Sequence, residues 1–374
     1  MTEYADIDKV ISELRHGHSC LLLNENSAGG MTGFVVAAAE HCEAQHIAFM
    51  ARQARGLVCL AMTPQRCEEL ELPLMVEGDD SLSPFTLSIE AATGIDTGIS
   101  AADRARTVRV AVDVASQASD LVQPGHIFPI AAAAGGVLTR TAPAEAAMDL
   151  ATLAGLLPSA VFTEVLDNNG AVADAGYLTG FANQHQLAVG LVSDLVTYRL
   201  ANQKTIRAVR EGTLQTRHGV FGATAYQDTT QGRLHVALTK GVIDAAKPTL
   251  VRVHVTSVFR DLVGTTLDGH ASWSFDASLK AIAESEGGVL VLLSKPEATD
   301  DLLQDIDRLL GEPENDKVGS LDAYNQIGMG AQILRDLGVG QIRLLGAPLK
   351  YNALAGFGLE VVDFVAPPDA AESH

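Results

Sequence analysis

The spacing of apolar residues changes character along the chain, and this change limits what the chain can fold into. Up to about residue 203, short apolar runs alternate with segments of helical periodicity, which is typical of strands and helices that follow one another. Residues 218–227 and 233–240 instead alternate apolar and polar side chains around a Gln231-Gly232 turn. This second pattern predicts antiparallel strands, so two bodies with different architectures are expected.

Chain length supports the same division. With 374 residues, the chain exceeds the roughly 250–300 residues that one hydrophobic core usually supports. We therefore predict an α/β domain over residues 1–203, a polar linker over 204–217 and an α+β domain over 218–374.

Helix caps and chain breakers predict most elements of the first domain. Asp6 or Asp8 can cap a helix that runs to Arg15, and residues 35–55 carry Ala, Glu, Gln and His at helical spacing. We expect Pro124-Gly125 to interrupt the chain. The remaining predictions are strands over 19–23, 57–62, 85–89 and 160–165, with helices over 100–118, 145–155 and 177–185.

The same reasoning predicts a mixed second domain. Apolar runs bounded by turn residues indicate strands, and longer periodic segments after Asp indicate helices. The predicted strands cover 250–255, 289–293 and 341–345, and the predicted helices cover 276–284, 300–310 and 322–338.

Charge and composition exclude several classes of protein. A formal net charge of -20 argues against nucleic acid and anionic membrane surfaces, which attract clustered Lys and Arg. We find no run of about 18 apolar residues and no apolar segment near Met1, so we expect neither membrane spans nor secretion, and a cytoplasmic location. The four cysteines follow no C-x-x-C spacing, which favours reduced structural thiols.

Four segments of the first domain carry a family resemblance. They are residues 56–64 (GLVCLAMTP), 97–104 (TGISAADR), 124–129 (PGHIFP) and 135–140 (GGVLTR). Together they resemble 3,4-dihydroxy-2-butanone-4-phosphate synthase of riboflavin biosynthesis. The resemblance implies a homodimer formed through this domain, and loss of formate from ribulose 5-phosphate with magnesium and acid–base groups.

The second domain resembles GTP cyclohydrolase II. Residues 250–254 (LVRVH) and 328–338 (GMGAQILRDLG) carry this resemblance. The two resemblances cover nearly the whole chain, in the order of the fused riboflavin-pathway proteins. They imply an α/β synthase-like domain followed by an α+β cyclohydrolase-like domain.

The first domain departs from the synthase at the positions that the resemblance assigns to magnesium and sugar phosphate. Gly29 stands where the family has an arginine, and Gly30 and Thr32 stand where it has glutamates. Phe34 replaces an aspartate, and Pro143 replaces the family's metal-binding histidine. Because magnesium needs hard oxygen ligands, we expect no magnesium site and no other cofactor. Phosphate binding by the Gly29-Gly30 turn is a weaker alternative.

Other positions match the family's site. His126 and Glu164 match its acid–base residues, Arg140 a phosphate-side arginine, Cys59 a thiol near the sugar, and Thr97 a substrate-binding residue. The first four of these five also have a plainer interpretation. His126 could bond a carbonyl after its turn, Glu164 could cap the amides that follow, Arg140 could pair with an acidic neighbour, and Cys59 could be packed and inert.

The second domain departs from the cyclohydrolase in the same way. The three cysteines that the resemblance assigns to zinc fall on Ser257, Asp268 and His270. A serine hydroxyl is a poor zinc ligand. We therefore expect neither zinc nor GTP hydrolysis.

These departures lead to three functional hypotheses. The first is a non-catalytic binding or regulatory protein, with a residual pocket for a phosphorylated sugar or flavin-pathway metabolite, or with an active paralogue as partner. The second is a metal-independent acid–base enzyme that acts on a phosphorylated sugar or a small carbonyl compound. The third is a weak residual synthase in which Glu25, Glu40 or His41 supplies displaced metal contacts.

Overall fold

The computed structural model describes residues 6–25, 30–76, 84–230, 232–265, 273–294, 299–310, 320–346 and 357–367. The chain divides into two compact units, Met1–Tyr198 and Arg199–His374. Each unit contains its own mixed sheet, as the predicted two-domain α/β and α+β fold requires.

The first unit is built on a sheet with the strand order β4-β5-β3-β6-β2-β1-β7. β3 lies between β5, to which it is parallel, and β6, to which it is antiparallel. The strands are β1 Cys20–Glu25, β2 Met31–Ala38, β3 Cys59–Met62, β4 Ile89–Ala91, β5 Leu121–Ala131, β6 Ala160–Glu164 and β7 Val189–Leu191.

Helices cover this sheet. α5 packs against β2, β3 and β6, and α4 packs against β4 and β5. Their N-termini follow the predicted caps, because Ser100 accepts a hydrogen bond at the start of α4 and Asp6 does so at the start of α1. The helices are α1 Ile7–Arg15, α2 Ala44–Phe49, α3 Pro64–Glu69, α4 Ala101–Val112, α5 Pro143–Leu153, α6 Ala175–His185 and α7 Val192–Asn202.

The prediction of one helix over residues 35–55 is wrong. Residues Met31–Ala38 form β2, which pairs antiparallel with both β1 and β6. Val35 and Val36 are both fully buried, so the strand has no polar face. A short apolar run buried on both faces has no period that separates strand from helix. The helical part of the segment begins only at α2.

Pro124 and Gly125 do not interrupt the chain, because both lie inside β5. The Gln123-Pro124 bond is cis, and the neighbouring β4 shifts register between Ile89 and Glu90. A Cβ on Gly125 would lie 2.1 Å from the carbonyl oxygen of Ile89. The glycine therefore permits a close approach of two backbones. The prediction of a chain break at Pro124-Gly125 is wrong.

The second unit has the strand order β14-β13-β11-β12-β10-β9-β8. β11 to β14 form its parallel part, and β8, β9 and β10 form an antiparallel part. The strands are β8 Ile206–Thr216, β9 Gly219–Asp228, β10 Leu234–Lys240, β11 Pro248–Val255, β12 Gly288–Leu293, β13 Gln341–Leu345 and β14 Glu360–Val365.

The helices predicted for the second unit are confirmed within two residues at each end. They are α8 Phe275–Ala283, α9 Thr299–Leu310 and α10 Ser320–Asp336. Among the described residues, none of the helices of either unit combines the length and apolar composition needed to cross a bilayer.

The predicted linker over 204–217 is a strand over most of its length. β8 pairs with β9 from Ile206 to Thr216. Most of its side chains are exposed because it lies at the edge of the sheet. An edge strand with polar residues on both faces has the composition of a linker, and only its pairing distinguishes the two.

The central position of β3 generates a stability prediction. Leu60 is fully buried in β3, whereas the nearby Leu57 is 51% exposed. Leu60→Ala should lower the free energy of unfolding by about 2–5 kcal/mol through lost burial and a residual cavity. Leu57→Ala should change it by less than about 0.5 kcal/mol. Urea titrations followed by circular dichroism measure both, and equal effects would contradict the described register.

Candidate functional site

Two candidate acid–base residues lie on the strands that flank β3. Cys59 of β3 pairs with Phe128 on β5 and with Phe162 on β6. His126 is two residues from Phe128 and Glu164 is two residues from Phe162, in both cases toward the start of β3. Since side chains alternate along strands, both residues lie on the face that carries Cys59. Two strand spacings place their backbones about 10 Å apart.

Glu164 ends β6 as a half-buried carboxyl group. Burial raises its pKa above the usual glutamate value. It does not cap the turn that follows, because Asp167 Oδ1 accepts hydrogen bonds from the amides of Asn169 and Ala171 at 2.8 and 2.9 Å. Glu164 is thus left for a role other than turn capping, and its raised pKa is typical of groups that exchange protons.

His126 contacts a carboxylate and not the backbone carbonyl considered above. Its Nδ1 lies in direct hydrogen-bond contact with Oε1 of Glu90, on the adjacent strand β4. The His126 side chain is 42% exposed, whereas that of Glu90 is 15% exposed. Sequence reasoning missed Glu90, although a lone acidic residue in the apolar stretch LSIEAA was an available signal.

The TGISAADR segment forms a wall beside Glu90. Gly98 has a φ of +78°, and a Cβ at this position would lie 1.7 Å from Glu90 Oε1. The Gly98 amide donates to Asp103 Oδ2 at 3.1 Å. Thr97, the predicted substrate-binding residue, is exposed and immediately precedes this glycine. Thr97 is thus one residue away in the chain from the glycine that lies against Glu90.

Cys59 is packed beneath this face. It is only 6% exposed. Burial, reinforced by the negative charge of Glu164, raises the pKa of the Cys59 thiol to about 12. The thiol is thus neutral at physiological pH and is a poor nucleophile. The other three cysteines are also buried and free.

Arg140 pairs with an acidic neighbour, as one of the two interpretations expected. Its guanidinium contacts Glu145 Oε1 through Nε at 2.8 Å and through Nη2 at 2.5 Å. Glu145 is fully buried on α5 and also accepts the amide of Ala133 at 2.8 Å. One turn further along α5, Asp149 accepts the amide of Val137 at 2.8 Å. Two buried carboxylates therefore hold the loop that carries Arg140.

The residues at the implied magnesium positions do not fit that ion. Thr32 turns its hydroxyl to the carbonyl of Asn24 at 3.2 Å. Phe34 packs edge-on against Phe162, with ring centroids 6.3 Å apart. Among the described residues, no group of three or more His, Cys, Asp or Glu side chains is arranged to hold a metal ion.

Three further described positions, Pro143, Glu40 and Gly30, were also considered for magnesium. Pro143 is the first residue of α5 and offers no side-chain donor. Glu40, a candidate for a displaced metal contact, accepts the amide of Leu157 at 2.9 Å. Gly30 supplies only backbone atoms, and Gly29 lies outside the described residues. Aliphatic, aromatic and hydroxyl groups do not replace the carboxylate ligands that magnesium prefers.

In the second unit, the first implied zinc position has a structural role. The Ser257 side chain accepts the amide of Arg260 at 3.4 Å and so caps a π-helix over Val258–Val263. The Ser257 amide donates to Asp261 at 2.9 Å. Asp268 and His270, the other two predicted positions, lie outside the described residues.

Asp261 is the centre of a buried polar cluster beside Ser257. Its Oδ2 contacts His254 Nε2 at 2.9 Å and Arg260 Nη2 at 3.0 Å. Burial lowers the pKa of His254 to about 4, so the imidazole is neutral at physiological pH. Burial alone would raise the pKa of Asp261, but hydrogen bonds from Arg260, Ser257 and other donors hold it well below its usual range. This cluster was not foreseen from the sequence.

Comparison with known families agrees with the division of the chain. The sequence profile of 3,4-dihydroxy-2-butanone 4-phosphate synthase matches residues 8–198, and that of GTP cyclohydrolase II matches residues 206–366. The chain therefore belongs to the 3,4-dihydroxy-2-butanone 4-phosphate synthase family and carries a second domain of the GTP cyclohydrolase II family.

Similar proteins cover both domains. A 3,4-dihydroxy-2-butanone 4-phosphate synthase of Pseudomonas syringae pv. tomato is 44% identical over 97% of this chain and 98% of its own length. The riboflavin biosynthesis protein RibBA of Aquifex aeolicus is 36% identical over 97% of this chain and 92% of its own length. The crystal structure of RibBX from A. baumannii, a two-domain synthase, is 36% identical, has a TM-score of 0.83 and covers 98% of this chain and 100% of its own.

These relatives contradict the first functional hypothesis. Proteins that are 36–44% identical over 96–97% of this chain are named as synthases or as a riboflavin biosynthesis protein. The interpretation of this chain as a non-catalytic binding or regulatory protein is therefore wrong. Substituted residues at a few site positions led to it, whereas an enzyme family matches the chain over residues 8–198.

The Arg140–Glu145 pair generates a stability prediction. Arg140→Met would leave the fully buried Glu145 without its cation and should lower the free energy of unfolding by about 3 kcal/mol. Arg343→Met is the control, because Arg343 and its partner Asp363 are each about half exposed. That change should cost less than about 1 kcal/mol. Chemical denaturation measures both, and equal effects of the two changes would contradict a stabilising role for the Arg140–Glu145 contact.

Proposed function

We propose that this chain is an enzyme of the 3,4-dihydroxy-2-butanone 4-phosphate synthase type that moves protons on a pentose phosphate without a bound divalent cation. One observation carries the proposal most directly. His126, paired with Glu90, and Glu164, with its raised pKa, lie on the same face at the same end of the strands that flank β3. Two proton-transferring groups in this arrangement can act on one small substrate between them.

The proposed reaction releases formate from ribulose 5-phosphate. One of the two groups, His126 or Glu164, removes a proton from the carbon next to the ketone. The electrons of the broken C–H bond then form the double bond of an enediol. The other group donates or accepts protons at the substrate oxygens during the rearrangement that follows. The formate and the four-carbon ketone phosphate together contain every atom of the substrate, so no oxidant, reductant or second substrate is needed.

Arg140 is the proposed phosphate contact. Its Nε and one Nη2 hydrogen are directed at Glu145. A guanidinium has five N–H donors, so three remain for an anion. The Arg140 side chain is 31% exposed, which leaves it accessible to substrate. Glu145 fixes the guanidinium plane, and a fixed plane loses less entropy when it binds phosphate.

The proposal of metal independence is supported by the side chains at the positions that the resemblance assigns to magnesium. Thr32 and Phe34 make contacts within the protein, and Pro143 begins a helix. Stabilisation of developing negative charge would then come from His126 on that face and from Arg140 at the phosphate.

We also propose that the second unit does not hydrolyse GTP. Ser257 replaces a thiolate ligand, and its side chain caps a helix. Zinc sites of this kind rely on cysteine thiolates. Replacing one thiolate by a hydroxyl severely weakens the binding of zinc. The proposed activity of the chain therefore belongs to the first unit.

A formate assay tests the reaction and the roles together. The purified chain should release formate from ribulose 5-phosphate in the presence of EDTA. His126→Gln and Glu164→Gln should each lower kcat by about 10²–10⁴-fold, the usual contribution of one acid–base group. Glu69→Gln, a change on exposed α3, should leave the rate unchanged. Formate release that requires added magnesium would overturn metal independence, and no release under either condition would overturn the proposed reaction.

The raised pKa of Glu164 predicts the acid side of the pH profile. Because burial favours the neutral form, the carboxylate is lost at a higher pH than an ordinary glutamate as the pH falls. If Glu164 acts as a base, kcat/KM should therefore decline at a pH above the ordinary glutamate pKa. The residual activity of Glu164→Gln should lack this decline. An identical acid limb in the variant would assign the decline to another group.

A further inference from the structure

We propose that Glu90 is a positioning residue that fixes the tautomer of His126, so that Nδ1 carries the proton and Nε2 is free to accept one from substrate. This inference deepens the proposed function and rests on it for its catalytic meaning. It stands on the contact between His126 Nδ1 and Glu90 Oε1, a pair that joins strands 36 residues apart in sequence.

The contact is asymmetric in a way that suits this role. Glu90 is 15% exposed and lies behind His126, whose side chain is 42% exposed. In the part of the chain that the structure describes, no residue is hydrogen-bonded to Nε2 of His126. The buried side of the ring therefore faces the carboxylate, and its other nitrogen is left for a ligand.

The backbone holds Glu90 in this position. β4 shifts register against β5 between Ile89 and Glu90, and such irregularities redirect side chains near functional sites. The amide of Ala91 donates to Thr107 at 3.1 Å, which ties the strand to α4. Gly98 leaves room for the carboxylate only because it lacks a Cβ. The register shift before Glu90, the Ala91–Thr107 hydrogen bond after it and the Gly98 backbone together fix the position of the Glu90 side chain.

The chemistry of the pair determines the tautomer. An ionised carboxylate accepts hydrogen bonds and donates none. The imidazole nitrogen in contact with it must therefore carry a hydrogen, and in the neutral ring the second nitrogen then has the free electron pair. A glutamine at the same position can donate its amide hydrogen to Nδ1 instead. That exchange would move the ring proton to Nε2, the nitrogen that the reaction needs unprotonated.

Nitrogen NMR tests the tautomer without any substrate. Long-range ¹H–¹⁵N spectra of ¹⁵N-histidine protein should show a protonated Nδ1 and an unprotonated Nε2 for the neutral ring of His126. The signals that disappear in the spectrum of His126→Asn are those of His126. Glu90→Gln should reverse or mix the two ¹⁵N shifts. A wild-type ring with the proton on Nε2 would overturn the inference even if the variant did not fold.

A second histidine–glutamate pair provides the matched control. His18 Nδ1 contacts Glu13 Oε2 at 2.7 Å, and their side chains are 66% and 36% exposed. Glu13→Gln should alter the His18 signals and leave those of His126 unchanged. Unchanged His126 shifts in Glu90→Gln, in a variant with wild-type circular dichroism, would also overturn the inference.

Kinetics separate positioning from binding. With ribulose 5-phosphate as the probe, Glu90→Gln should lower kcat by about 10–100-fold, as loss of a group that orients a functional histidine does, with KM within about twofold. A change in KM alone would contradict a positioning role. If neither protein releases formate, the proposed function fails, whereas the NMR result still decides the tautomer.

Discussion

The hydrogen-bonded ladder that places β3 between β5 and β6 is the constraint on which the candidate site depends. Cys59 is paired on one side with Phe128 and on the other with Phe162. This register alone brings His126 and Glu164 to one face at one end of the sheet. A shift of one residue in either ladder would turn one of them to the opposite face, where α4 and the main core lie. The proposed acid–base arrangement thus depends on the pairing of buried strand residues.

Around this ladder, buried carboxylates orient basic groups. Glu90 contacts His126, and Glu145 holds Arg140. In both pairs the acidic member is the more buried, so the basic member is presented outward on a fixed support. In a protein of formal charge -20, each of these two basic groups thus has a carboxylate partner that fixes its position.

The sequence predicted most of the fold because caps, turns and apolar periods are local. β13, predicted over 341–345, was located to the residue, and α10 to within two. Sequence-based prediction failed where strand pairing determines the structure. β2 was mistaken for a helix because Val35 and Val36, which point to opposite faces of the strand, are both buried. β8 was mistaken for a linker because it lies at the edge of its sheet. His126 and Arg140 were foreseen as candidates, whereas Glu90 was not, because its contact spans 36 residues. The inactive interpretation gave too much weight to a few loop positions.

The edge position of β8 has a consequence for the protein in a crowded solution. Among the strands that the structure describes, none pairs with the outer side of this long strand, and unpaired backbone groups are the kind of template on which chains stack into aggregates. Arg207, Arg210 and Glu211 project from it as exposed charges. Mixed charges on a bare edge repel a second copy of the same edge unless their registers match. The polar composition that hid β8 in the sequence thus also disfavours stacking of one copy on another through this edge.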